Sequence, residues 1–212
     1  MTTSIDLMVL KQCLEAAADR ILAETVTLTH ADQAVGDGDH GIGMARGFTA
    51  VKEALGEEYA SVPALLEKVG KTLMLKTGGS SGAIYGTLFI AGSKALPAPS
   101  LDSPLDAEGF ARFLEAGLEG VQKRGNARPG DKTLVDALAP AAAAARAHCA
   151  ESLSASFRAA AHAAREGMEA TRNMTAAFGR AKTLGERALG HADPGALSMT
   201  IILEAISESL PS

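Results

Sequence analysis

Tryptophan is missing from this chain, and phenylalanine and tyrosine together supply only 4% of it. A core built from such a sequence must be filled by aliphatic side chains and alanine. Cysteine is nearly absent too. Cys13 and Cys149 lie far apart in segments of helical pattern, so reduced thiols in a cytoplasmic protein are expected rather than a disulfide framework. Neither sign of charge dominates. A net charge of −5, with no basic stripe interleaved with aromatics, argues against nucleic acid as the partner. No apolar run approaches the roughly 20 residues needed to span a bilayer. The start, Met1-Thr2-Thr3-Ser4-Ile5-Asp6, lacks the basic and apolar regions of a signal peptide, so no membrane association is expected. Alternating strand patterns and β-branched runs are scarce, which leaves an all-α fold.

The helical pattern predicts about eight helices. Leu10, Cys13, Leu14, Ala17 and Ile21 follow helical spacing, with Ser4 as the predicted cap. A second helix is expected from about His40 to the Val51–Leu55 region, weakened by Gly43 and Gly47. Ser61-Val62-Pro63 opens a third that Gly78-Gly79 stops, and a fourth, apolar nearly all round, follows Gly82. Leu96-Pro97-Ala98-Pro99-Ser100 reads as a loop, and Ser103-Pro104 as the start of a fifth helix ending near Arg124-Gly125. Two alanine-rich helices are placed at about 134–150 and 153–171, and a last one at about 196–210. Their small side chains suit close helix–helix packing. The proline-rich connection is short, so residues 1–212 are expected to form a single domain.

Chemistry concentrates between the helices. Asp32-Gln-Ala-Val-Gly36-Asp37-Gly38-Asp39-His40-Gly41-Ile42-Gly43 sets three carboxylates among glycines. Like charges packed so closely need a cation among their oxygens or a fully solvated loop, and hard oxygen ligands suit Mg²⁺ shared with phosphates. Gly78-Gly79-Ser80-Ser81-Gly82 combines flexible backbone with hydroxyl donors and reads as a phosphate cradle or a plain turn. Arg180, close in sequence to Lys182 and Arg187, is a candidate cation for polyphosphate or part of a solvated face. No Walker A loop, EF-hand, zinc spacing or Gly-x-Ser-x-Gly elbow is present. His40 and His191 each divide between a role at the site and a structural one; His148 and His162 read as surface groups.

Four segments in this order resemble the nucleotide-binding L subunit of dihydroxyacetone kinase. They are Asp32…Gly36-Asp37-Gly38-Asp39-His40-Gly41, Gly78-Gly79-Ser80-Ser81-Gly82, Pro129-Gly130-Asp131-Lys132-Thr133, and Gly179-Arg180…Gly190-His191…Asp193-Pro194-Gly195-Ala196. The resemblance covers nearly the whole chain. It implies an eight-helix antiparallel barrel with the nucleotide, ADP or ATP, at one end. Asp32, Asp37 and Asp39 would ligate two Mg²⁺ ions. Gly79, Ser80, Ser81 and the backbone from His40 through Gly41 and Ile42 to Gly43 would hold phosphates. Gly125 and Leu134 would border adenine or ribose, and Arg180 with Asp193, Pro194 and Gly195 would close the site. Gly43 departs from the family, many members of which carry Asn there. The resemblance further implies a K subunit that holds the ketose. Either ATP exchanges at the site, or a phosphotransferase-system M subunit rephosphorylates bound ADP; a homodimer is a further option. The alternatives are a nucleotide-sensing regulatory subunit and a fatty-acid-kinase-like nucleotide domain. The acidic motif of the latter resembles Pro-Asp-Gly-Asp-Thr-Gly, where this chain has His40.

Overall fold

The computed structural model describes residues 2–97 and 103–211. Among them are nine α-helices, two 3-10 segments and one pair of two-residue strands. The helices are α1 (Leu7–Ala23), α2 (Thr25–Gln33), α3 (His40–Leu55), α4 (Val62–Lys76) and α5 (Gly79–Lys94), followed by α6 (Ala107–Gly125), α7 (Val135–Ala147), α8 (Leu153–Ala170) and α9 (Pro194–Ser209). Of the expected loop at 96–100, residues 98–100 lie outside the described residues.

Two predicted helix starts move by a few residues, for one reason. Ser4–Ile5 pairs antiparallel with Leu105–Asp106, so the backbone stays extended just before α1 and α6. The caps are therefore Asp6, which accepts from the Val9 N–H at 2.8 Å, and Asp106, which accepts from the Gly109 N–H at 2.8 Å. Ser4 and the Ser103-Pro104 pair do not start these helices. Ser61 does cap α4 as expected, accepting from the Ala64 N–H at 3.3 Å. The predicted glycine loop at 78–82 is shorter than expected, because Gly79 already belongs to α5. The acidic loop shrinks likewise: Asp32 sits in the last turn of α2 and His40 opens α3.

Helix packing follows a closed ring. α1 packs on α3, α3 on α4, and so on through α5, α6, α7, α8 and α9, and α9 closes back on α1. That ring is the expected eight-helix barrel, and α2 is the addition, lying against α3 and α9. Leu10, Leu14, Leu66, Leu88, Phe110, Leu114, Phe157 and Ile202 fill its interior. Ala137, Ala141 and Ala145 of α7 and Ala160 and Ala164 of α8 are fully buried, which allows these helices the close approach their composition predicts. Among the described residues, no helix is long and apolar enough to cross a membrane.

Candidate functional site

The N-termini of α3, α5, α7 and α9 gather at one end of the ring. His40, the first residue of α3, bonds through ring Nδ1 to Ser81 Oγ in the first turn of α5, at 2.9 Å. Its Nε2 bonds to Ser198 Oγ in α9, also at 2.9 Å. A Cβ placed on Gly195 of α9 would lie 3.3 Å from Leu134 Cβ, at the start of α7. These four are alternate members of the ring, so neighbours run antiparallel. Four positive helix ends at one rim make that rim suited to anions.

Several donors there are left over by the helices themselves. The Gly43 N–H is taken by Asp39 C=O at 2.9 Å and the His40 N–H by Asp32 Oδ2 at 3.1 Å. Gly41 and Ile42 precede the first intrahelical bond of α3, so their N–H groups are available to a ligand. In α5 the first intrahelical bond runs from Gly82 N–H to Gly78 C=O, which leaves the N–H groups of Gly79, Ser80 and Ser81 in the same position. Gly78 has φ +78°, a left-handed conformation that lets α4 turn into α5 in two residues.

The three aspartates converge beside these turns. One oxygen from each of Asp32, Asp37 and Asp39 lies within 4.8 Å of the others. Arg180, arriving from the 3-10 segment Arg180–Ala188, contacts Asp37. The chemistry of this donor set fits a hard divalent cation: anionic oxygens only, partly open to solvent, already offset by a guanidinium. The structure thus brings together Asp32, Asp37, Asp39, Arg180, Gly41, Ile42, Gly79, Ser80 and Ser81. Gly125 ends α6 on the same rim, where an added Cβ would meet Ile84 of α5 at 3.5 Å. Leu134 is buried, whereas the expected contribution of Gly43 through its N–H is already spent within α3.

His40 faces inward. It is 7% exposed and both ring nitrogens are engaged. Burial pulls its pKa below the ordinary histidine value, against the pull of Asp32. His148 and His162 stay on the surface beside Glu151 and Glu166, as the sequence predicts.

Three further groups, Lys132, Thr171 and the pair Ser198–Tyr85, escape a reading of the sequence alone. Lys132 is 2% exposed and donates to the carbonyls of Thr171 and His191, each at 2.6 Å. Thr171 Oγ1 accepts from the Asp193 N–H at 2.9 Å, and Asp193 caps α9 through the Ala196 N–H at 2.7 Å. Burial pushes the Asp193 carboxyl up to about 7, although Ala196 and Lys132 pull it down. Ser198 and Tyr85, the third such group, meet at 2.7 Å beneath His40. The signal available in sequence was the Gly-Asp-Lys-Thr motif alone, which marks a loop without revealing where its lysine points.

Known proteins share this fold. The crystal structure of the dihydroxyacetone kinase from C. freundii in complex with AMP-PNP and Mg²⁺ superposes with a TM-score of 0.73 at 25% identity, over 99% of this chain and 35% of that one. The ADP-binding subunit DhaL of PEP-dependent dihydroxyacetone kinase 1 from Listeria innocua is 39% identical over 192 residues, 90% of each chain. The corresponding subunit from Escherichia coli K12 is 36% identical over 197 residues, 92% of each. The family model described as the DAK2 domain matches residues 34–208, a span that takes in every helix N-terminus of the site, and the chain belongs to that family.

Proposed function

We propose that this chain is the nucleotide-binding subunit of a kinase for dihydroxyacetone or a related short ketose, with residues 1–212 acting as one domain. It is a phosphotransferase component that binds ADP or ATP and works in the cytoplasm with a K subunit holding the ketose. The observation that supports this best is the meeting of the carboxylate cluster with the open N-terminal turns of α3 and α5. Asp32 joins the two, since it belongs to the cluster and also accepts the His40 N–H.

Asp32, Asp37 and Asp39 would hold Mg²⁺, two ions in this reading, which would neutralise the charge of the nucleotide phosphates. The chain's own groups do the rest. N–H groups of Gly41, Ile42, Gly79, Ser80 and Ser81 fix the phosphate oxygens, which aligns the transferring group and stabilises the charge that spreads over it. Arg180 swings between Asp37 and the phosphates as a bidentate cation. Gly125 and Leu134 border the nucleoside, and Arg180 with Asp193, Pro194 and Gly195 closes the site. No covalent intermediate forms on this chain. The naming of the relatives as PEP-dependent, ADP-binding subunits favours ADP that stays bound and is rephosphorylated in place by an M subunit.

Titration calorimetry tests the reading. Asp37→Ala is expected to abolish Mg²⁺-dependent ADP binding with the helical circular dichroism intact. ADP affinity that is equal in both proteins, with and without Mg²⁺, removes the metal assignment.

A further inference from the structure

His40, Ser198 and Tyr85 form a hydrogen-bonded chain that runs from the phosphate side of the site to the start of α9. Ser198 is fully buried and Tyr85 is 1% exposed. Ser198 Oγ has four neighbours: His40 Nε2 at 2.9 Å, Tyr85 Oη at 2.7 Å, Pro194 O at 3.0 Å and Gly195 O at 3.1 Å. Tyr85 Oη also reaches Gly195 O at 3.1 Å. Carbonyls only accept, and each hydroxyl has one proton, so the protons in this chain can be counted.

With a single proton on the ring, two arrangements satisfy every group. In the first, His40 carries its proton on Nε2 and gives it to Ser198, whose own proton goes to Pro194 O or Gly195 O. The bare Nδ1 then takes the proton of Ser81, and the Ser81 hydroxyl has none left for a ligand. In the second, Nδ1 carries the proton and donates to Ser81 Oγ. Ser198 then donates to Nε2, Tyr85 donates to Ser198 or Gly195 O, and the Ser81 proton is free to point outward. The ring is neutral in both, and the two differ only in where protons sit.

We propose that His40 is a positioning residue that acts through Ser81, and that Ser198 and Tyr85 set its tautomer. This rests on the nucleotide-binding role proposed above. A phosphate at the first turn of α5 that bonds the Ser81 hydroxyl takes it as a donor, so it selects the arrangement with the proton on Nδ1. Selection costs Ser198 its bond to the α9 carbonyls, which links phosphate occupancy to the turn that carries Gly195. His40 therefore contributes without touching the phosphates, and Ser198, deep in an apolar helix, influences an affinity it never contacts.

Ser198→Ala separates this from a role in folding. Without the serine, Nε2–H can still donate to Pro194 O, which lies within reach of the ring, and Tyr85 keeps Gly195 O. The variant is therefore locked in the first arrangement. Long-range ¹H–¹⁵N spectra of histidine-labelled protein should show His40 protonated on Nδ1 in wild type saturated with ADP and Mg²⁺, and on Nε2 in the variant. Calorimetry should show ADP·Mg²⁺ bound about tenfold more weakly by the variant and adenosine bound equally by both. Wild-type His40 with a bare Nδ1 in the ADP complex overturns the proposal, as does unchanged ADP affinity or an equal loss for adenosine. Wild type that binds no ADP at all removes the nucleotide role itself, and this one with it.

Discussion

Arg180 pairs with Asp37 while its side chain stays 67% exposed, so the contact is easily exchanged. In this position the guanidinium offsets the same charge that Mg²⁺ would offset. It would compete with the free cation, yet in the proposed site it would also be a flexible partner for a phosphate oxygen. Those two roles have opposite signs on removal. Arg180→Ala is expected to bind Mn²⁺, as a probe for Mg²⁺, up to about fivefold more tightly without nucleotide, because an exposed pair contributes modestly. The same variant should bind ADP·Mg²⁺ more weakly. Electron paramagnetic resonance titration reads the first and calorimetry the second; two changes of the same sign contradict the exchange. At this scale the sequence marked the acidic cluster as a cation site or a solvated turn, because like charges crowded among glycines need one or the other. It marked Arg180 only as a candidate beside the reading of a solvated face. Ser198, Tyr85 and Lys132 were not legible there. Their partners come from remote segments, and a lone serine in an apolar helix carries no pattern.

Helices were the most legible elements, since a period near 3.6 in aliphatic residues survives the scarcity of aromatics. The misreadings share a cause: local signals lost to contacts made elsewhere. Gly43 and Gly47 suggest a weakened α3, yet the helix runs unbroken to Leu55. An added Cβ at Gly43 would come 3.0 Å from Thr77 O, and at Gly47 2.1 Å from Thr77 Oγ1, so both glycines admit the end of α4. The break at Glu24 that frees α2 has no glycine or proline to announce it. Pro140 inside α7 looks like a helix breaker, but it only deprives the Asp136 carbonyl of its intrahelical partner. Gly167 of α8 lies over that carbonyl, where a Cβ would come within 2.1 Å of Asp136 O and 2.9 Å of Pro140 Cγ. Gly167→Ala should therefore destabilise the protein by about 2 kcal/mol in urea unfolding. The helix propensity of alanine, worth about 1 kcal/mol on its own, would predict a gain, so the sign decides whether packing or propensity governs the α7–α8 contact.

Across the whole molecule, the barrel brings one end of every helix to the rim but leaves the connecting segments to be fixed separately. Lys132 ties two of them together, the α6–α7 loop that carries it and the connection from α8 to α9. Its own loop is pinned by Asp136, which accepts from Gly130 N–H at 2.5 Å and Thr133 N–H at 2.7 Å. From there its ammonium reaches the end of α8 at Thr171 and the segment before α9 at His191. The backbone accepts a cost for this, since Lys132 is one of two non-glycine residues with positive φ among those described, at 58°. Burial also lowers the pKa of its ammonium, against the pull of Asp193 and Asp136. Such an arrangement persists where the position of the segment matters, and here that segment carries Asp193, Pro194 and Gly195. Lys132→Met keeps the volume roughly constant but leaves two carbonyls without their donor, a loss of about 1–3 kcal/mol in global stability. The decisive measurement is hydrogen exchange. Amides from 189 to 193 and Ala177, whose N–H bonds Asp131 O at 3.1 Å, should lose protection well before those of α1 or α4 do. ADP affinity should fall with them, while the aspartate cluster, held by the end of α2 and the loop into α3, keeps its response to Mn²⁺. Uniform loss of protection around the ring would instead make Lys132 a part of the general core, with no particular hold on the nucleotide end.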